Sequence, residues 1–488
     1  MKNTLLLFVA LISMSIISAQ PIVKQQPVSL TSTNLRLPNT LVLQTLIFPQ
    51  HTAGTVVLRF DGTCFADSGD RIVVAASNLP DWAVSDGNVG IEVANATAKS
   101  RSFSHTRVYN VLPGIDTFYA VAQNTVDISG SGIASIYGHL TAEFFPATGP
   151  AVLSHNLLYF GNLSAGMVPF DSLIAPAAPM GKAYLHADGQ VSSDAGDRIM
   201  ISVNYQPEWT VDDGSIALMA AGSAQRFSPF MHTRAFDITG NPNAFYAVAE
   251  NVVDQGGSGN ANIYGNICTE FFPSSGAATL NSKGIVFYVQ PLRGAAVALD
   301  SISISVPAAG AALVEFDGYV SSDVGDQIVL AGSDSRQWTA NEGSSTVSSA
   351  SYIGRYNVFS HSRLYPVTPG THTFYCLAEN HGMTAGSGNA DILGNFSVKY
   401  YPAINTGIND APQLSTFAIY PNPAGNRVVI ALAAAPAEPQ LIQITDLAGR
   451  VLISTHTTTT QTAINISDLP AGLYMLRCGV STQRLVKE

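Results

Sequence analysis

Asp61-Gly62, Asp67-Ser68-Gly69-Asp70 and Trp82 form a spaced signature that returns twice along the chain. The copies read Asp188-Gly189, Asp194-Ala195-Gly196-Asp197, Trp209 and Asp317-Gly318, Asp323-Val324-Gly325-Asp326, Trp338. Asp188 lies 127 residues after Asp61, and Asp317 lies 256 after it. The same offsets hold without a gap through His105/His232/His361, Asn124/Asn251/Asn380 and Pro146/Pro273/Pro402. A fixed period of this length marks three copies of one folding unit of about 125 residues, an ordinary domain size. The segment ahead of each Asp-Gly matches poorly between copies, so linkers and domain-to-domain variation are expected there.

Within a copy the dominant pattern has period two. Val57, Arg59 and Asp61 alternate with Val56, Leu58 and Phe60, and the runs 71–77, 103–111, 117–123 and 135–145 are rich in β-branched and aromatic residues. Turn-forming Gly, Pro, Asn and Asp bound these runs. Seven or eight short strands in such a unit predict an all-β fold: three tandem β-sandwich modules of jelly-roll-like type, followed by a small C-terminal β-sandwich. In outline such modules resemble the trimeric jelly-roll heads of the complement and tumour-necrosis-factor kind, with no diagnostic motif shared. The Asp-x-Gly-Asp segment fits a three-residue hairpin loop with a left-handed glycine at Gly69, Gly196 and Gly325.

The expected divisions are a signal peptide at 1–19, modules at 20–146, 147–273 and 274–402, a linker at 403–415 and a tail at 416–488. The start supports the first of these: Lys2, an apolar run from Leu5 to Ile17 and a small residue at Ala19 describe a secretory leader too short to span a bilayer. Charged residues are only 12% of the 488, and 23 basic against 34 acidic side chains leave a net charge of −11. That balance argues against nucleic acid as a partner. Four cysteines cannot form a disulfide framework, and Cys64, Cys268 and Cys376 occupy three different repeat positions, so they read as small apolar residues.

Several constellations invite chemistry. Asp61, Asp67 and Asp70 recur in every copy and suggest calcium, yet their spacing matches no ligand loop, so no metal or cofactor is assigned. The strand Phe103-Ser104-His105-Thr106-Arg107-Val108-Tyr109 keeps one face unchanged among copies: aromatic, His105/His232/His361, Arg107/Arg234/Arg363, aromatic. An arginine buried between aromatics needs a carboxylate, and Asp61/Asp188/Asp317 and Asp70/Asp197/Asp326 are the shared candidates. With Trp82, Trp209 and Trp338 these residues form either an internal network, the favoured reading, or a face that binds sugars or carboxylates. A Ser104–His105 hydrolase pair is excluded because neighbours on a strand point to opposite faces.

The tail carries Ile419-Tyr420-Pro421-Asn422-Pro423, then Asp446-Leu447-Ala448-Gly449-Arg450, then Leu469-Pro470-Ala471-Gly472-Leu473-Tyr474, and ends near Lys487. In order and wording these blocks closely resemble the C-terminal sorting domains of the bacterial type IX secretion system. The resemblance implies partnership with that secretion machinery and release outside the cell or attachment to surface lipopolysaccharide. It implies nothing about cargo activity. The chain therefore reads as a secreted or cell-surface, non-enzymatic protein without a transmembrane anchor, whose modules bind a surface, a glycan or a protein. The alternatives are a structural or matrix component whose modules pack with each other and, more weakly, a hydrolase. The poorly matching leading segments favour independent beads over a closed pseudo-trimer.

Overall fold

The computed structural model describes residues 20–36, 40–67, 69–82, 89–92, 100–127, 131–148, 152–163, 166–175, 180–194, 196–208, 217–220, 228–239, 243–254, 257–292, 295–323, 326–337, 345–348, 356–381, 388–403, 417–420, 422, 424–432, 440–445, 451–478 and 481–487. The leader and most of the linker lie outside these residues. The chain divides into two compact units, 1–404 and 405–488.

The first repeat builds eight strands: β1 (Ile22–Asn34), β2 (Leu41–His51), β3 (Gly54–Ala66), β4 (Arg71–Ser77), β5 (Val89–Glu92), β6 (Ser100–Val111), β7 (Gly114–Val126) and β8 (Ile133–Pro146). They form two antiparallel four-stranded sheets in the orders β1-β8-β3-β6 and β2-β7-β4-β5. Strand order that alternates between two sheets in this way is a jelly roll. The second repeat follows the same plan with β9 (Val152–Asn162), β10 (Val168–Ala175), β11 (Gly181–Ser193), β12 (Arg198–Asn204), β13 (Ala217–Ala220), β14 (Ser228–Ile238), β15 (Asn243–Val253) and β16 (Asn260–Pro273). The third uses β17 (Thr279–Pro291), β18 (Val297–Val306), β19 (Gly310–Ser322), β20 (Gln327–Ser333), β21 (Ser345–Ser348), β22 (Tyr356–Val367), β23 (Gly370–Asn380) and β24 (Asn389–Pro402).

Each sandwich has its own apolar core. In the first, Val56, Leu58 and Phe60 of β3 meet Ile72, Val74, Phe118, Leu140 and Phe144. At the hairpin turns Gly69 and Gly196 take φ of 87° and 92°, the left-handed geometry that only glycine adopts cheaply. Gly62 and Gly138 face each other across β3 and β8, where a Cβ on Gly138 would lie 1.9 Å from the Asp61 carbonyl oxygen. Only paired glycines allow that approach, and the same pair recurs as Gly189/Gly265 and Gly318/Gly394.

A further apolar cluster belongs to no single module. It joins Val23, Val57 and Phe145 of the first with Tyr184, Cys268 and Phe272 of the second and Leu280, Leu313 and Tyr401 of the third. This overturns the beads-on-a-string expectation. The outer faces of the β1-β8-β3-β6, β9-β16-β11-β14 and β17-β24-β19-β22 sheets are packed against one another, so the three jelly rolls close around a pseudo-threefold axis. Poor matching of the leading segments was a misleading guide, because contacts around such an axis need complementary residues and not identical ones.

The second unit is a small sandwich of a three-stranded and a four-stranded sheet, with strands β25 (Phe417–Tyr420), β26 (Arg427–Leu432), β27 (Gln440–Thr445), β28 (Val451–Thr457), β29 (Gln461–Asn465), β30 (Gly472–Cys478) and β31 (Ser481–Lys487). Its core gathers Phe417, Val428, Ile430, Ile442, Ile444, Ile464 and Leu485. Among the described residues no helix is long and apolar enough to cross a membrane.

Candidate functional site

With Val56, Leu58 and Phe60 inside the sandwich, Val57, Arg59 and Asp61 must project from the other face of the sheet. Cross-strand pairing puts Thr141 and Glu143 of β8 and Ser104 and Thr106 of β6 on that same face. In a lone sandwich it would meet water. Here Arg59 and Glu143 are 2% exposed and Asp61 is 1% exposed, because the other two modules cover them.

Three joints close the ring. The edge strands β6 and β22 have backbone N–H groups that no further strand pairs, and an aspartate of the neighbouring module takes them. Thr106 N–H donates to Asp188 Oδ1 at 3.1 Å, with the Thr106 and Ser104 hydroxyls on Oδ2. At the equivalent place Ser362 N–H donates to Asp61 Oδ2 at 2.9 Å and its hydroxyl to Oδ1. At the third joint Asn395 Nδ2 donates to the Thr233 carbonyl. The first and second modules thus each offer an aspartate to a neighbour's edge strand, and the third offers an asparagine.

Charge gathers at the centre. The position of Arg59 is His186 in the second copy and Glu315 in the third; that of Glu143 is Glu270 and then Lys399. Arg59 Nη1 lies 2.5 Å from Glu315 Oε1. Lys399 Nζ sits among three glutamates, 3.1 Å from Glu143, 2.8 Å from Glu270 and 3.2 Å from Glu315, and 4.3 Å from the centre of the Tyr184 ring. The Tyr401 hydroxyl donates to Glu143. Burial alone would lower the Lys399 pKa, but these three glutamates more than offset it and hold the ammonium above its ordinary value. Burial and the neighbouring Glu143 push Glu270 up to about 8, against the pull of Lys399. Burial, with Arg59 and Lys399, keeps His186 neutral. The two cations, Arg59 and Lys399, are thus enclosed by the carboxyl groups of all three modules.

The residues singled out from sequence fall in several places. Asp61 and Asp188 are the ring-closing acceptors, while Asp317 accepts from Ser360 of its own module at 2.9 Å and lies 3.8 Å from Arg59. His105, His232 and His361 point into the sandwiches, where each Nδ1 accepts the N–H of Ala76, Val203 or Gly332 at 2.9–3.0 Å and ties one sheet to the other. Asp70 is buried and accepts from Asn124 Nδ2 at 3.0 Å, and Asp197 and Asp326 are buried at the same position. Asp67 holds the Ser131 hydroxyl and Asp194 that of Ser258, so Asp61, Asp67 and Asp70 have three separate settings. The arginines correct the expectation of a buried Arg–carboxylate pair on the kept face. Arg107, Arg234 and Arg363 are half-buried at the sandwich edge and lie over the rings of Tyr109, Phe236 and Tyr365. Arg107 reaches the Asn156 and Asn266 side-chain oxygens of the next module. Trp82 Nε1 donates to Gln123 at 3.0 Å; Trp209 and Trp338 lie outside the described residues.

Sequence reasoning missed Arg59, Glu143, His186, Glu270, Glu315 and Lys399, and its reading of Cys268 as a small apolar residue agrees with the buried apolar cluster that holds it. The available signal was the change of charge at two repeat positions inside otherwise aligned strands.

In the second unit, Asn422 Oδ1 accepts the Val486 N–H at 2.8 Å and Ala424 pairs with the same strand, so these two residues are fastened to the C-terminal strand beside Lys487. The Tyr474 hydroxyl donates to the Pro470 carbonyl at 2.7 Å, closing the turn that contains Gly472. Pro421, Pro423, Asp446 and Gly449 lie outside the described residues. Residues 418–488 match the family model of the secretion system C-terminal sorting domain. This unit is a type IX secretion sorting domain, and the chain that carries it is exported to the cell surface or beyond. No curated protein matches the chain. Among solved structures it is similar to one from Sulfolobus turreted icosahedral virus, at 10% identity over 78% of this chain and 90% of that one, with a TM-score of 0.18. Another is described as the triple jelly roll fold and turret assembly in an archaeal virus, at 9% identity, the same two coverages and a TM-score of 0.19. A third is dimeric latent PorU from Porphyromonas gingivalis, at 10% identity over 70% of this chain and 33% of that one, with a TM-score of 0.18. The jelly-roll assignment rests on strand order alone.

Two predictions follow from the axis. Replacing Lys399 with Met removes the cation that Glu143 and Glu270 share and leaves Arg59 paired to Glu315 alone. Urea unfolding of the first unit should show a loss of about 3–5 kcal/mol, the usual result of orphaning buried charge; a loss below about 1 kcal/mol would mean the cluster is not closed.

Burial pushes the Asp61 carboxyl up to about 7 from an ordinary 3.8, although Arg59 and Ser362 pull it down. The folded state then holds a proton that the unfolded chain releases, so this contribution to stability is complete below about pH 4 and fades as pH rises through 7. Asp61→Asn cannot titrate. Its melting temperature relative to the unsubstituted protein should climb steadily between those limits, and a difference that stays flat across the range would contradict the assignment.

Proposed function

We propose that the protein is a non-enzymatic extracellular structural head: three jelly rolls locked into one rigid body and delivered outside the cell by the type IX route. Export rests on the sorting domain. The structural reading rests on one observation, the inter-module joints around a sealed axis of buried ion pairs. The polar side chains that differ in register among the copies, Arg59, Glu143, Glu270, Glu315 and Lys399, are spent on holding the modules together. The groups with the strongest electrostatic perturbation lie where no substrate reaches them, which supports a role other than catalysis.

A second reading, binding of a glycan or protein partner at the outer surface, draws on the β9 edge of the second module. Leu158 and Phe160 stand 61% and 59% exposed there, and the Phe160 ring packs edge-on against Tyr264 with centroids 5.3 Å apart. Aromatic rings presented in this way suit sugar faces and apolar protein anchors. Lipopolysaccharide attachment after removal of the sorting domain belongs with this proposal, as does the leader at residues 1–19.

The test separates delivery from activity. Deleting residues 416–488 should leave the three modules folded in the periplasm and absent from the medium and the cell surface; normal external levels would remove the export reading. Purified residues 20–403 should give no specific signal on glycan and cell-surface arrays. A signal abolished by Phe160→Ser, with the melting temperature unchanged, would replace the structural reading with the binding one.

A further inference from the structure

The three positions that set the second module apart on the axis lie side by side. His186 of β11 is directly opposite Cys268 of β16, and Glu270 follows two residues later on the same face of that strand. The corresponding residues are Arg59, Thr141 and Glu143 in the first module and Glu315, Ser397 and Lys399 in the third, so nitrogen, sulfur and oxygen ligands come together in one module alone. Their ligand atoms all lie within 4.8 Å of one another, and His186 Nδ1 is 3.8 Å from Glu270 Oε1. Zinc bonds of about 2.0–2.3 Å in a tetrahedron hold neighbouring ligand atoms roughly 3.3–3.8 Å apart. A small contraction of these side chains would bring them to that spacing.

A second observation points to a ligand. His186 is 1% exposed, yet neither of its ring nitrogens has a hydrogen-bond partner. Buried imidazoles are normally held by at least one such bond, and the other conserved-position histidines of this protein are: His105, His232 and His361 each accept a backbone N–H. Glu270 meanwhile gives Oε2 to Lys399 at 2.8 Å, which leaves Oε1 on the His186 side.

We propose that His186, Cys268 and Glu270 form a buried zinc site on the pseudo-threefold axis. The donor set of imidazole, thiolate and carboxylate is one that a borderline-soft divalent ion accepts. The ion enters as the modules close, because the closed axis is sealed from solvent. On binding, Cys268 gives up its thiol proton to solvent and coordinates as the thiolate. No redox step and no co-reactant is involved.

The test uses the untagged full chain, unfolded in chelator and then refolded with or without zinc chloride, with metal content read by mass spectrometry and folding by circular dichroism. The zinc-refolded chain should hold about one ion per molecule, keep it through dialysis against chelator and melt higher than the metal-free chain. Cobalt refolding should give a thiolate-to-metal charge-transfer band. Cys268→Thr and Cys268→Ser insert the residues that the first and third modules already hold there, and each should lose the band and at least about nine-tenths of the zinc while remaining folded. Less than about a tenth of an ion per folded unsubstituted chain, or full zinc retention in either folded cysteine variant, would overturn the proposal.

Discussion

Around a threefold axis, equivalent positions of three subunits meet, and three copies of one charge cannot meet without repulsion. A trimer of identical chains must therefore line its axis with apolar or neutral residues, or enclose a counter-ion. A tandem repeat escapes this restriction because each copy can carry a different residue. The chain uses that freedom at two positions, placing Arg59, His186 and Glu315 at one and Glu143, Glu270 and Lys399 at the other. Everything else in the first unit is consistent with this choice. The aspartates that cap neighbouring edge strands, the aromatics Phe145, Phe272 and Tyr401 beside the charges, and the polar outer faces of the sheets all require the ring to be closed.

Burying these charges is costly, since desolvation of ions commonly exceeds what their pairing returns. What an asymmetric charge set supplies is a unique order. Lys399 finds its glutamates on both neighbouring modules, and Arg59 finds Glu315 only on the third. Three modules can close in two cyclic orders, and unequal pairs, Arg59 with Glu315 and Lys399 with Glu143 and Glu270, distinguish one order from its reverse. A rigid, correctly ordered head also suits an export route entered through a separate sorting domain, whose motif Asn422 is fastened to the last strand of its own sandwich.

Much of the architecture was legible from periodicity. The three repeats, the strand runs, the left-handed glycines in the Asp-x-Gly-Asp turns and the sorting tail were all open to reading from residue type and spacing. The axis was not. An alternation such as Val57, Arg59, Asp61 against Val56, Leu58, Phe60 says that one face is inside and the other is polar, but a polar face covered by a neighbour has the same local pattern as one in water. The strand Phe103–Tyr109 shows the same difficulty from the other side. Its unchanged face, with His105, proved to be the sandwich interior, and the drifting face, with Ser104 and Thr106, carries the inter-module joint. On this strand sameness among copies marked what each module needs by itself, although the unchanged Asp61 and Asp188 serve the joints between modules.

Closure of the ring is the central claim, and small-angle X-ray scattering of residues 20–403 tests it most directly. Three jelly rolls packed about one axis should give a radius of gyration of about 21 Å, the value for a single compact body of that length. A value above about 30 Å, with a distance distribution showing separated maxima, would describe modules strung in a line and would contradict the account.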